Sequence, residues 1–307
     1  MERKHSVGAA LLGGYMRLRG SLPLGYHRWW AGRIAWFLQK VMHYREKEVM
    51  VNLSRSFPEK KYKELNEIAR KFYRHLGDII AEAIWFGACR GKRGCKRLRK
   101  SHLVEITNAE VLNKLFADSP QVMAMESHTG NWELIGGFFN YDYDTPLEMK
   151  PEHIAVTYNR LKSEVWNQVM GENRCATLTQ TDFDGYCESR EILRYAVSHR
   201  RDKRVYVFIT DQYPYKFATK HHVGKFMNQD TETMNGAAAL ACKMNMGVVY
   251  LRFKCREDGG YSLTFVPIAE RASESTPEQI MSDYYRLLEE DLREQPWNYL
   301  WSHKRWK

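Results

Sequence analysis

This sequence lacks the marks of a disulfide scaffold or a zinc protein. Its six cysteines, Cys89, Cys95, Cys175, Cys187, Cys242 and Cys255, are scattered, with no Cys-x-x-Cys pair. A reducing compartment is the simplest setting for such thiols. Long apolar runs are missing too: no stretch reaches the roughly 18 uninterrupted apolar residues that span a bilayer, so a spanning helix is not expected. The basic N-terminus leads through Arg17 and Arg19 into Gly20-Ser21-Leu22-Pro23-Leu24-Gly25. No small-residue cleavage pattern follows an apolar core, so no removable signal peptide is expected. There is no Ser/Gly/Pro-rich linker and no repeat of fixed period. With 307 residues and 44% hydrophobic content, the chain can bury a sizeable core. It reads as a helical region over 1–100 and an α/β unit over 101–307, together one structural unit. Negative charge is the minority: 37 Asp and Glu against 47 Lys and Arg leave +10. Such a field attracts anions, whether nucleic acid, anionic lipid or an acidic carrier. No helix-turn-helix, zinc-finger or aromatic-strand signature accompanies it, so nucleic acid is not expected.

What is present centres on His128-Thr129-Gly130-Asn131-Trp132-Glu133. The preceding run Gln121-Val122-Met123-Ala124-Met125 is short, apolar and bounded by Ser119-Pro120, which predicts a buried strand. The following run from Glu133 to Phe139 predicts a helix, with Asn131 capping its first turn. His128 then sits where a strand ends and a helix begins, the place where α/β sheets put their chemistry. His128 and Glu133 can meet only if the chain turns sharply at Gly130, which glycine permits. A carboxylate on one imidazole nitrogen fixes the tautomer and leaves the other nitrogen to take a proton from a hydroxyl. No serine or cysteine nucleophile is needed if the substrate supplies that hydroxyl.

Around this centre, Trp30, Ile34, Phe37, Leu38 and Val41 recur at helical spacing between Tyr26 and Tyr44, with Trp29, Trp36 and basic residues beside them. This predicts an amphipathic helix suited either to a membrane interface or to packing on the domain. A long helix is predicted from Pro58 to about Ala88. The seven positive residues between Arg90 and Lys100 read as a basic loop, solvated or able to dock an anionic partner. His153–Tyr158 and Val205–Ile209 read as strands. The first leads to Arg160, which opens a helix and can hold an oxyanion or a phosphate. The second brings Asp211-Gln212 to the same edge as His128. Further helices are expected over Glu188–His199 and around 234–241. Two strands flank the hairpin signature Asp258-Gly259-Gly260, and Thr276-Pro277-Glu278-Gln279 offers a capping box for a helix to about Arg293. The terminal Trp301–Lys307 is expected to fold back over the domain.

The string His-Thr-Gly-Asn-Trp-Glu resembles the first block of the glycerolipid acyltransferase superfamily, and within it the lipid A late acyltransferases, the lauroyl and myristoyl transferases. Asn52-Leu53, Phe57-Pro58-Glu59, Thr210-Asp211-Gln212 and the terminal run Pro296–Trp306 are similar to that family's signatures and stand in the same order. The family's tyrosine-arginine pair is interrupted here as Tyr158-Asn159-Arg160, and Asn228 stands near the place of a family glycine. The resemblance implies an α/β fold with a mixed central sheet flanked by helices and a membrane-facing helical N-terminal region. It implies an O-acyltransferase moving a fatty acyl group from a thioester, acyl carrier protein above all, to a hydroxyl of a lipid A precursor. His128 would be the base, Glu133 its partner, and Asn131, Arg160, Asp211 and Gln212 substrate-binding residues. No metal or cofactor is expected, and the setting would be the cytoplasmic face of the inner membrane, peripheral or monotopic. Spacing alone leaves open a lysophospholipid or acylated amino-acid acceptor, and composition alone leaves open a basic peripheral membrane-binding protein.

Overall fold

The structure, a computed structural model, describes residues 6–178, 183–214 and 220–306. Lys307, at the end of the terminal run expected to fold back, lies outside them.

Five α-helices come first: α1 (Val7–Gly20), α2 (Leu24–Trp36), which runs on into a π-helical turn (Phe37–Val41), α3 (Glu46–Ser56), α4 (Tyr62–Phe86) and α5 (Gly91–Ser101). There follow β1 (Val104–Ile106), α6 (Ala109–Asp118), β2 (Val122–Glu126), β3 (Ile154–Tyr158), α7 (Glu164–Arg174), β4 (Tyr186–Glu188), α8 (Ile192–Ser198) and β5 (Val205–Ile209). The chain ends with β6 (His221–Phe226), β7 (Gln229–Thr233), α9 (Gly236–Lys243), β8 (Gly247–Cys255), β9 (Tyr261–Ala269) and α10 (Pro277–Glu294). Seven strands form one mixed sheet in the order β1-β9-β8-β2-β5-β3-β4, while β6 and β7 form a separate hairpin. Strands β8, β2, β5, β3 and β4 run parallel, and β9 is antiparallel to β8. This is the mixed, helix-flanked α/β architecture that the sequence led us to expect.

The central strand β2 is buried along its whole length, so its side chains alternate between two apolar cores. Met123 and Met125 face a core shared with α3, α4, α9 and α10, while Val122 and Ala124 face one shared with α6 and the segment after His128. Helix α4 serves both: Phe72 and Leu76 belong to the first core and Trp85 and Phe86 to the second. It begins four residues later than the Pro58 expected from sequence.

Several local expectations are corrected. The basic stretch is not a loop but α5, a helix that buries only Gly94 and Leu98 and leaves most of its cations outward. The segment after His128 is a 3-10 helix, Trp132–Asn140. Tyr186–Glu188 is a strand, so the helix expected from Glu188 starts at Ile192. Of the two settings left open for the aromatic helix, packing does not use the large apolar stripe: the buried face of α2 is His27, Ala31 and Ala35. The reason is close approach to α4: a Cβ on Gly77 would stand 2.3 Å from the Ala31 carbonyl oxygen. Small residues therefore take the interface, and Trp29, Trp36 and Phe37 are turned outward, more than half or nearly half exposed. On α1, Val7, Leu11, Tyr15 and Leu18 form a second exposed row. Among the described residues no helix is long and apolar enough to cross a membrane.

Candidate active site

Strands β2 and β5 are parallel neighbours, so the segments that leave their carboxyl ends lie side by side. His128 leaves one and Asp211 the other. His128 Nδ1 lies 2.8 Å from Asp211 Oδ1. A carboxylate accepts, so Nδ1 carries a proton, and in the neutral ring Nε2 then keeps its lone pair. Gln212 Nε2 donates to that Nε2 at 3.0 Å, and the Trp132 ring stands edge-on to the imidazole at 4.9 Å between centroids. Asp211 is buried, and burial works to raise its carboxyl. The adjoining His128, and Arg305 beyond it, reverse that and bring it below the usual carboxylate range.

The turn that aims His128 is fixed from both sides. Gly130 has φ +58°, and a Cβ there would fall 2.5 Å from the Phe253 ring. Its N–H donates to Asn298 Oδ1 at 2.6 Å, and its carbonyl accepts from His75 Nε2 at 2.9 Å. Burial holds His75 neutral, its pKa lowered to about 4, consistent with a single proton on the donating nitrogen. The terminal run thus reaches the Gly130 turn through Asn298, while Tyr299 donates to the Asp211 carbonyl at 3.4 Å.

The turn at Gly130 does not bring Glu133 onto the imidazole. Both Glu133 oxygens are taken by Arg174 of α7, through Nε and Nη2, each at 2.7 Å. Arg174 Nη1 also donates to Tyr186 at 3.2 Å. Burial would raise the Glu133 carboxyl, but Arg174 brings it below its usual range. The expected His128–Glu133 contact is therefore replaced by two separate pairs.

His128 opens on a cavity of about 580 Å³ along the carboxyl edge of the sheet. Its walls include Ile135, Tyr158, Ile192, Phe208, Met234 and Leu240, with Glu126, Arg174 and Gln212 among the polar groups. Among the described residues no group of three or more His, Cys, Asp or Glu is arranged to hold a metal ion.

A family model, that of the bacterial lipid A biosynthesis acyltransferases, matches residues 5–307. The chain belongs to this family. It is an acyltransferase of lipid A biosynthesis in the general sense that the family defines. A search of curated proteins finds no match to it.

Two residues expected in this acyltransferase's site lie elsewhere. Asn131 is buried and makes no helix cap. Its Nδ2 donates instead at 2.9 Å to Glu82 of α4, a carboxyl that also accepts from Tyr261 and that burial pushes up to about 7. Arg160 follows β3 on the same edge as His128, but it does not open α7, which starts at Glu164 with Ser163 as its cap. Its side chain is exposed and paired with Glu164 at 2.6 Å, outside the described lining of the cavity. Sequence reasoning missed Arg174, His75, Glu82 and Glu126. Glu82 and Glu126 carried a signal, the first a charged residue inside an apolar run and the second one at the end of such a run.

Proposed function

We propose that this acyltransferase moves a fatty acyl group from a thioester on an acyl carrier protein to a hydroxyl of a lipid A precursor at a membrane surface. The observation that supports it best is the His128–Asp211 pair, which leaves Nε2 at the mouth of a mostly apolar cavity. The acceptor hydroxyl takes the place on Nε2 that the Gln212 amide now fills. Its oxygen attacks the thioester carbonyl while its proton passes to Nε2, and Asp211 stabilises the imidazolium. The tetrahedral intermediate then expels the thiolate, which recovers the proton from His128. The products are an ester and a free thiol, with no acyl-enzyme between. The acyl chain lies along Tyr158, Ile192 and Phe208, and the outward rows of α1 and α2 rest in the lipid interface.

Purified protein supplied with acyl carrier thioester and, in separate arms, a lipid A precursor, a lysophospholipid or an acylated amino acid tests this reading. Acylation of the lipid A precursor, abolished in H128A, supports it. Transfer only to another acceptor, or a trapped acyl-enzyme ester, contradicts it. For the membrane, W29S/W36S should weaken sedimentation with anionic vesicles; unchanged binding would remove α2 from the interface.

A further inference from the structure

The last residue of β2 carries a carboxyl that the acyl-transfer steps above leave idle. Glu126 is completely buried, and neither side-chain oxygen has a hydrogen-bond partner among the described residues. Its main chain, by contrast, is well held. The carbonyl accepts from the Tyr284 hydroxyl at 2.8 Å and from the Thr210 N–H at 3.1 Å. Alternation along β2 puts Glu126 on the face of Val122 and Ala124, both packed in apolar core. An orphaned carboxyl there destabilises the fold, so its partner is to be sought in a ligand. The ligand space adjoins it, since Glu126 lines the same cavity as His128. Burial, and then the Asp211 and Glu133 carboxylates, push its own carboxyl well above the usual range, with Arg174 opposing. In that state it has an O–H to give.

We propose that Glu126 is a further catalytic residue of the acyl transfer described above, its carboxyl donating a hydrogen bond to the thioester carbonyl oxygen as negative charge develops there. The inference rests on that reading of the function. The guanidinium groups on this edge are already engaged: Arg174 gives two of its nitrogens to Glu133, and Arg160 is turned to Glu164 outside the cavity. A neutral donor adds no third negative charge beside Asp211 and Glu133, and it is worth most in a site that excludes water.

The test compares the steady-state turnover of full-length E126Q and E126M with acyl carrier thioester and lipid acceptor, with H128A as the control. E126Q keeps a neutral donor of the same shape and should stay within about tenfold of the parent. E126M should lose about 10²-fold to 10³-fold in kcat, with the KM for the thioester within about twofold. Should E126M fail to fold, E126A reads the same loss. An apolar variant that turns over like the parent, a loss confined to KM, or E126Q falling as far as E126M would overturn the proposal. If H128A itself turns over normally, the acyl-transfer reading fails; if only H128A is inactive, this inference alone fails.

Discussion

The two ends of the block from His128 to Glu133 are held by different parts of the molecule. The His128 end is engaged by Asp211, 83 residues further on at the edge of β5, through a single hydrogen bond. The Glu133 end is engaged by Arg174 of α7 through two. The first pair joins an ionisable ring to a carboxylate and leaves one ring nitrogen toward the cavity. The second is a bidentate ion pair that ties the 3-10 segment to α7, and it has little proton chemistry to offer because a guanidinium does not give up its proton. A histidine and an acid five positions apart in one motif therefore need not pair with each other.

That contrast can be broken experimentally, and the largest effect should fall on Asp211. D211N keeps the shape of the side chain but its amide no longer selects the Nδ1–H tautomer, so turnover should fall by about 10³-fold to 10⁴-fold with the fold intact. Steady-state rates and circular dichroism measure both halves. G130A comes next, because it forces a side chain into positive φ and against Phe253. It should cost at least about 2 kcal/mol in denaturant unfolding. E133Q should act mainly on stability, by about 1–3 kcal/mol, because Arg174 loses its charge partner. The sign with pH follows from the lowered Glu133 carboxyl. Its contribution is fully present above the ordinary glutamate value of 4.5 and is lost as pH falls through the lower folded value. E133Q should therefore flatten the acid limb of the stability curve, and an unchanged limb would show that the pair is not formed. R160A should do least: activity and melting temperature should stay close to the parent, because the side chain is an exposed partner of Glu164. A large loss of turnover in R160A would bring it back to the substrate.

Strands β2, β3 and β5 were legible from sequence because they are short apolar runs ending in polar chemistry, and from them followed the edge on which His128 and Asp211 meet. Their pairing was not, since the spacing of His128 and Glu133 offered a nearer carboxylate. Helix α5 was hidden because its apolar signal is Gly94 and Leu98 alone. The α2 stripe stayed open between a membrane interface and packing because tryptophans suit both; the close approach of Ala31 to Gly77 puts small residues on the packed face and leaves Trp29 and Trp36 exposed. Asn228, near the place of a family glycine, takes φ +61°, with Met227 at +50°, in the turn of the β6–β7 hairpin, a conformation that asparagine tolerates better than most residues.

The most direct test of the His128–Asp211 pairing is the turnover of H128A, D211N and the double variant, measured side by side on the thioester and lipid acceptor. Residues that act as one unit are strongly non-additive. The account predicts that the double variant is barely slower than H128A alone. Losses that multiply, with D211N lowering turnover as much in the H128A background as in the parent, would show that Asp211 works apart from His128 and would contradict it.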